Sequence, residues 1–238
     1  MHIHICSATP FEYAGLVKRW PAGAYAGALH LSYQVSGVGP VHTGVHLSLS
    51  EEARACDLIL NIGVAGAIDL ELTLGEVVHV VREEFGDLGV EERDGTFTSA
   101  MRMGLVDGGE APYRHGYLYP PQDTAAGEAG KSFPAFAKTV TAVTNATVHG
   151  SADRIAALRD RTDAQIETME GASVFYVAHV LSKPVVQLRA ISNYVEPRNR
   201  DAWRLELALT NLTEAADQML SALPGAAEAR SARLQLGL

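Results

Sequence analysis

Residues 167–193 constrain the fold of this chain most. Glu167-Thr168-Met169 reads as a short strand, and an apolar helix follows Glu170-Gly171-Ala172-Ser173. Pro184 then opens a second strand, Val185-Val186-Gln187-Leu188-Arg189-Ala190-Ile191. A strand, a helix and a strand rich in Val, Leu and Ile make a βαβ unit with its second strand buried on both faces. Both strands end on polar residues: Met169-Glu170 at one turn, and Arg189 and Ser192-Asn193 at the other. Ligands of open α/β sheets bind at the carboxyl ends of parallel strands. The same turns also read as ordinary solvent-facing exits, because a fold does not name a function.

The rest of the chain must supply the sheet that this unit joins. With 238 residues and 47% hydrophobic content, it can bury a sizeable core. One α/β domain over residues 1–223 is expected. The Ala, Arg, Gly and Gln tail at 224–238 has the composition of a frayed or disordered end. A net charge of −9 and the lack of a Lys/Arg cluster argue against nucleic acid as a partner. No apolar run is long enough to span a bilayer, and the start, Met1-His2-Ile3-His4-Ile5, lacks signal-peptide regions. Cys6 and Cys56 lie in or beside apolar segments without metal spacing and read as reduced core residues. The cytoplasm is the expected compartment.

In chain order, residues 2–7 form a first strand, with His2 and His4 on one face. A metal site would need further ligands, and two strand-surface histidines are the simpler reading. Thr9-Pro10-Phe11-Glu12 is a helix start with a capping box, Glu12 standing at the third helical position. That placement also puts a carboxylate at the mouth of strand one. A strand over 28–36 leads through Gly37-Val38-Gly39-Pro40 into a helix reaching about residue 54. Such a turn suits an anion, although it has no Walker lysine and no full dinucleotide fingerprint. Residues 57–63 read as a buried strand ending in Gly63-Val64-Ala65-Gly66-Ala67, whose small residues let backbone approach a ligand. A strand over 74–81 leads to an acidic loop, Glu83-Glu84-Phe85-Gly86-Asp87. Residues 94–136 show no defensible period and read as a surface excursion, a lid or an oligomer contact. A strand over 139–147, a helix from 150 to about 159 and a long helix over 198–222 complete the pattern.

Three motifs, in order and spacing, resemble the nucleoside phosphorylase and nucleosidase superfamily. They are Asn61-Ile-Gly-Val-Ala-Gly-Ala, Met169-Glu-Gly-Ala and Arg189-Ala-Ile-Ser-Asn193. Leu88-Gly89 after Asp87, with the run Ile191-Ser-Asn-Tyr-Val-Glu-Pro-Arg-Asn-Arg-Asp-Ala-Trp203, is similar to the futalosine hydrolases within it. The resemblance covers residues 2 to about 222. It implies a single three-layer α/β domain with a central mixed, barrel-like sheet flanked by helices. It further implies a homo-oligomer whose neighbouring subunit closes the pocket, a small nucleoside as substrate, and no metal or organic cofactor.

The resemblance also implies roles. Glu170 matches the glutamate that binds the ribose hydroxyls below the developing oxocarbenium ion, and Met169 packs on the sugar. Glu12 matches the carboxylate that holds and deprotonates the attacking water, which Arg189 helps to orient. Ser192 supports the base-binding turn. Ala65 and Gly66 line the pocket, and Asn145 and Thr147 are further pocket candidates. Phosphorylases of the superfamily carry a Gly-rich phosphate loop with an arginine after strand one. Here Ala8-Thr9-Pro10-Phe11-Glu12 puts a carboxylate there, which repels phosphate and suits water. Asn193 stands where adenine-specific nucleosidases carry aspartate, and its amide can donate to the two acceptors of a 6-oxopurine edge. Hydrolysis of futalosine to hypoxanthine is therefore the leading expectation. A purine nucleoside phosphorylase, a methylthioadenosine/adenosylhomocysteine-type nucleosidase and a non-catalytic nucleoside-binding protein are the alternatives. The acid that protonates the leaving base has no candidate.

Overall fold

The computed structural model describes residues 1–25, 29–121, 137–223 and 226. In chain order the elements are β1 (His2–Ser7), α1 (Pro10–Arg19), β2 (Gly23–Tyr25), β3 (Leu29–Val35), α2 (Pro40–Leu49), α3 (Glu51–Ala55), β4 (Leu58–Ala67), β5 (Val77–Phe85), β6 (Gly89–Glu91) and β7 (Phe97–Ser99). There follow β8 (Tyr113–Arg114), β9 (Tyr117–Leu118), β10 (Lys138–Thr144), α4 (Ala152–Arg161), β11 (Ile166–Thr168), α5 (Gly171–Val180), β12 (Val185–Tyr194), a 3-10 turn (Arg200–Ala202) and α6 (Leu205–Ser221).

The main sheet is mixed and closes on itself. Its order runs β2-β3-β1-β4-β11-β10-β5-β9-β8, and β12 pairs with both β4 and β5. Strands β4, β11, β10, β5 and β12 thus form a ring, and β1, β3 and β2 extend from β4. Alternation along β12 makes it the shared wall of two cores. Val185 and Ile191 enter one core with Phe175 and Ala178 of α5. Val186, Leu188 and Ala190 enter the other with Leu16 of α1 and Leu212, Ala216 and Met219 of α6. The residues of β12 from Val185 to Ser192 are all buried, as the apolar run predicts, but β11 runs antiparallel to β4 and β12 parallel to it, so the two strands do not form the expected βαβ unit.

Several boundaries differ from the sequence reading. Glu83 and Glu84 lie inside β5, not in an acidic loop, and Glu83 is completely buried. Strand β4 continues through Gly63 to Ala67, because β12 and β11 pair with that segment. The helix after Pro40 breaks at Ser50, whose Oγ accepts from Ala53 N at 3.1 Å and caps α3. Strand β10 ends at Thr144, and Trp203 lies before the final helix. Within 94–121, β7 pairs back with β6, while β8 and β9 form a hairpin that joins β5. Residues 122–136 of that excursion lie outside the described residues, as does the tail from 224 except Ala226, which is buried in a core.

His4 is buried rather than exposed: its Nδ1 pairs with Ser32 Oγ and its Nε2 with Gln34 Oε1, each at 2.8 Å. Among the described residues no group of His, Cys, Asp and Glu has the geometry to hold a metal. None of their helices is long and apolar enough to cross a membrane.

Candidate active site

The carboxyl ends of β1, β4, β11 and β12 surround a cavity of about 240 Å³. Glu12, Ala65, Gly66, Met169, Glu170, Ser192 and Asn193 all line it. Residues from both ends of the chain meet there because β4 is flanked by β1, β11 and β12 along its length.

Glu12 has two functions in one carboxylate. The Thr9 backbone N–H and hydroxyl donate to its Oε2, at 2.8 and 3.0 Å, so the capping box forms as expected. Its Oε1 accepts from Val64 N at 3.2 Å, across the mouth of β1. Capping therefore aims the side chain at the cavity rather than withdrawing it.

Arg189 is buried behind this wall. Its Nη2 donates to Asn61 Oδ1 at 2.7 Å and to Gln187 Oε1 at 3.2 Å. Gly63 makes room for it: a Cβ there would stand 2.4 Å from Arg189 Nη1 and 2.9 Å from Glu12 Oε1. The small residue thus seats a guanidinium beside a carboxylate.

Glu170 ends the turn between β11 and α5. Its Oε1 accepts from Gly39 N at 3.1 Å, where Gly39 has φ +87°. The glycine turn at 37–39 therefore cradles an anion belonging to the chain itself. Burial raises the Glu170 pKa and the Arg189 charge opposes that rise; the nearby Glu12 raises it further. Two carboxylates share one buried guanidinium, a negative field suited to a developing cation.

Ser192 and Asn193 fix each other. Ser192 Oγ donates to Asn193 Oδ1 at 2.8 Å, and Asn193 Nδ2 donates to Tyr194 O at 2.9 Å. One amide hydrogen is thereby used, so Asn193 keeps one for a ligand instead of two. Asn145 and Thr147 are placed apart from this cavity. Asn145 is fully buried and holds Glu167 from behind, its Nδ2 2.9 Å from Glu167 Oε1. Thr147 lines a neighbouring cavity with Arg154 and Arg161.

The sequence reading missed Glu167, His149 and Trp203, which also line the site. Glu167 lay in the quoted motif stretch as a strand residue, and its exposure to the cavity follows from pairing with β4. His149 Nδ1 is 2.5 Å from Glu167 Oε1, and His149 N donates to Glu167 Oε2 at 3.2 Å.

The model of the phosphorylase superfamily matches residues 12–225. A futalosine hydrolase of Streptomyces coelicolor is 32% identical, the match covering 94% of this chain and 97% of that protein. Among solved structures, a futalosine hydrolase of Helicobacter pylori superposes with a TM-score of 0.69 at 19% identity, covering 94% of this chain and 98% of that one. A 5'-methylthioadenosine/S-adenosylhomocysteine nucleosidase of Neisseria meningitidis superposes with a TM-score of 0.71 at 20% identity, covering 93% and 99%. At these identities the two structures speak for the fold alone.

Proposed function

This chain belongs to the phosphorylase superfamily, and on that premise we propose that it is an N-glycosyl hydrolase releasing hypoxanthine from futalosine. The observation that carries the reading is Glu12. At the mouth of β1, Thr9 and Val64 hold a carboxylate rather than leaving their N–H groups to an anion. Phosphate dianion would be repelled there, whereas water can be held and deprotonated.

In this reading, water attacks the anomeric carbon of the ribose as the bond to the purine nitrogen breaks. Glu12 takes the water proton. Glu170 accepts from the ribose hydroxyls and faces the cationic sugar. Arg189, held by Asn61 and Gln187, supplies positive charge behind the carboxylates, Met169 packs on the sugar, and Ser192 orients Asn193 toward the base. Preorganised groups of this kind act without reorganising during the reaction. In this reading the enzyme serves menaquinone biosynthesis in the cytoplasm.

A homo-oligomer belongs to the same proposal. Val41, Val45 and Leu49 recur every four residues on α2 and are exposed, as is Phe11 beside Glu12. An apolar stripe on an exposed helix face suits burial against a second copy.

The test is incubation with futalosine, with and without phosphate, followed by identification of the products. Hypoxanthine release at the same rate in both is expected. A phosphate requirement with a sugar 1-phosphate as product would make the chain a phosphorylase and remove the role given to Glu12.

A further inference from the structure

Glu167 has no part in the roles assigned above, yet it is buried, faces the cavity and is held by three donors. We propose that Glu167, set by His149, is a specificity-determining residue that selects a purine with an N–H at ring position 1. The inference rests on the nucleosidase reading and deepens it.

The placement comes from strand register. Glu167 of β11 pairs with Gly66 of β4, and Asn193 of β12 pairs with the same Gly66 from the other side. Residues aligned across neighbouring strands project to one face of the sheet, and all three line the cavity. Glu167 and Asn193 are thus two strand spacings apart, about 9.6 Å, with a glycine between them. A Cβ on Gly66 would stand 3.0 Å from Val195 Cγ2 and 3.2 Å from Asn193 Nδ2. The result is a slot floored by Val195, which packs over Gly66, with an amide on one side and a carboxylate on the other.

The hydrogen-bond inventory fixes what each side offers. Arg161 Nη2 lies 3.3 Å from His149 Nε2 and can only donate, so Nε2 accepts. The His149 proton is then on Nδ1, pointing at Glu167 Oε1. Asn145 Nδ2 donates to the same oxygen, and His149 N donates to Oε2. Among the described residues every partner of Glu167 is a donor, so the carboxylate is an acceptor, and Oε2, with a single such partner, has capacity left. Opposite it, Asn193 has one amide hydrogen left.

A 6-oxopurine presents acceptors at its oxygen and imidazole nitrogen, and a donor at position 1. The slot matches it with a donor from Asn193 and an acceptor from Glu167. A 6-aminopurine presents a bare lone pair at position 1, which a carboxylate repels. An unpaired polar contact in a site built for hydrogen bonding is what gives strong discrimination.

The experiment compares kcat/KM for futalosine, its 6-amino counterpart and its 1-methyl derivative, using the wild type and Glu167→Gln. Gln keeps its oxygen against Asn145 Nδ2 and His149 Nδ1 and turns its amide toward the slot, giving up the 3.2 Å bond from His149 N. The expected result is a drop of 10- to 100-fold on futalosine. The 6-amino compound should lose far less, so the preference ratio falls at least tenfold. The wild type should cleave the 1-methyl compound at least tenfold less well than futalosine. If Glu167→Gln lowers both substrates equally, Glu167 is only structural and the proposal is overturned. Equal wild-type turnover of futalosine and its 1-methyl derivative overturns it without any variant, should Glu167→Gln fail to fold. If the wild type cleaves none of the compounds, the nucleosidase reading itself fails, a different outcome from an unchanged ratio.

Discussion

At the residue scale, the geometry that caps α1 is also the geometry that the proposed chemistry needs. Thr9 fixes one oxygen of Glu12 and Val64 the other, so the carboxylate has no freedom to leave the cavity mouth. Glu170 accepts from Gly39 N at 3.1 Å, with the Met169 backbone also beside its carboxylate. Its charge is opposed by burial and supported by Arg189. Glu170→Gln keeps the shape and removes the charge proposed to face the sugar. Turnover should fall on the order of 10²- to 10³-fold, with an unchanged circular dichroism spectrum. Near wild-type turnover would reduce Glu170 to a helix-start residue.

At the element scale, the start of α5 is built around a buried acid. Gly171 is the first helical residue, and a Cβ there would stand 1.8 Å from Glu83 Oε1. Glu83 accepts from Gln187 Nε2 at 2.8 Å and from Thr144 Oγ1 at 3.0 Å, and Gln187 in turn accepts from Arg189. A chain of contacts thus runs from β5 through β12 to the guanidinium at the site. Burial pushes the Glu83 carboxyl up to about 7, against these donors and the Arg189 charge. The folded state then binds more protons at Glu83 than the unfolded state does. Its contribution to stability is full below the ordinary carboxylate range and is lost as pH rises through about 7. The loss is on the order of 3 kcal/mol. Glu83→Gln should remove that slope, leaving the variant more stable than the wild type at pH 8 and similar to it at pH 4. Urea denaturation across this range is the measurement, and parallel pH profiles for the two proteins would refute the assignment.

At the scale of the whole molecule, the exposed stripe on α2 lies on the helix whose preceding turn, at Gly39, holds Glu170. α2 packs its other face inward through Thr43 and Leu47. Association through Val41, Val45 and Leu49 would therefore brace the site from outside. Val45→Glu puts a charge in the middle of that stripe, and burying an unpaired charge is strongly unfavourable. Light scattering should give an oligomer for the wild type and a monomer for the variant. A wild type that is monomeric at micromolar concentration would end the oligomer proposal.

Periodicity and turn chemistry are local, and they determined the elements: the strand, helix and strand at 167–193, the capping box at Thr9 and the all-buried strand at 185–191; the parallel βαβ pairing did not form, because β11 runs antiparallel to β4 and β12 parallel to it. Residue types at strand ends also marked Glu12, Met169, Glu170, Ser192 and Asn193, which the fold brings to one cavity. What the sequence left undetermined is non-local. Glu83 and Glu84 read as a loop because two charges in a row have no strand period; only pairing of β5 with β10 makes them strand. Asn145 looked like a pocket residue, and the register of β10 beside β11 turned it to the back of Glu167 instead. Glu167 itself carries no local sign of function. Its position across Gly66 from Asn193 depends on two strand pairings separated by more than a hundred residues of chain, and only the closed sheet decides them.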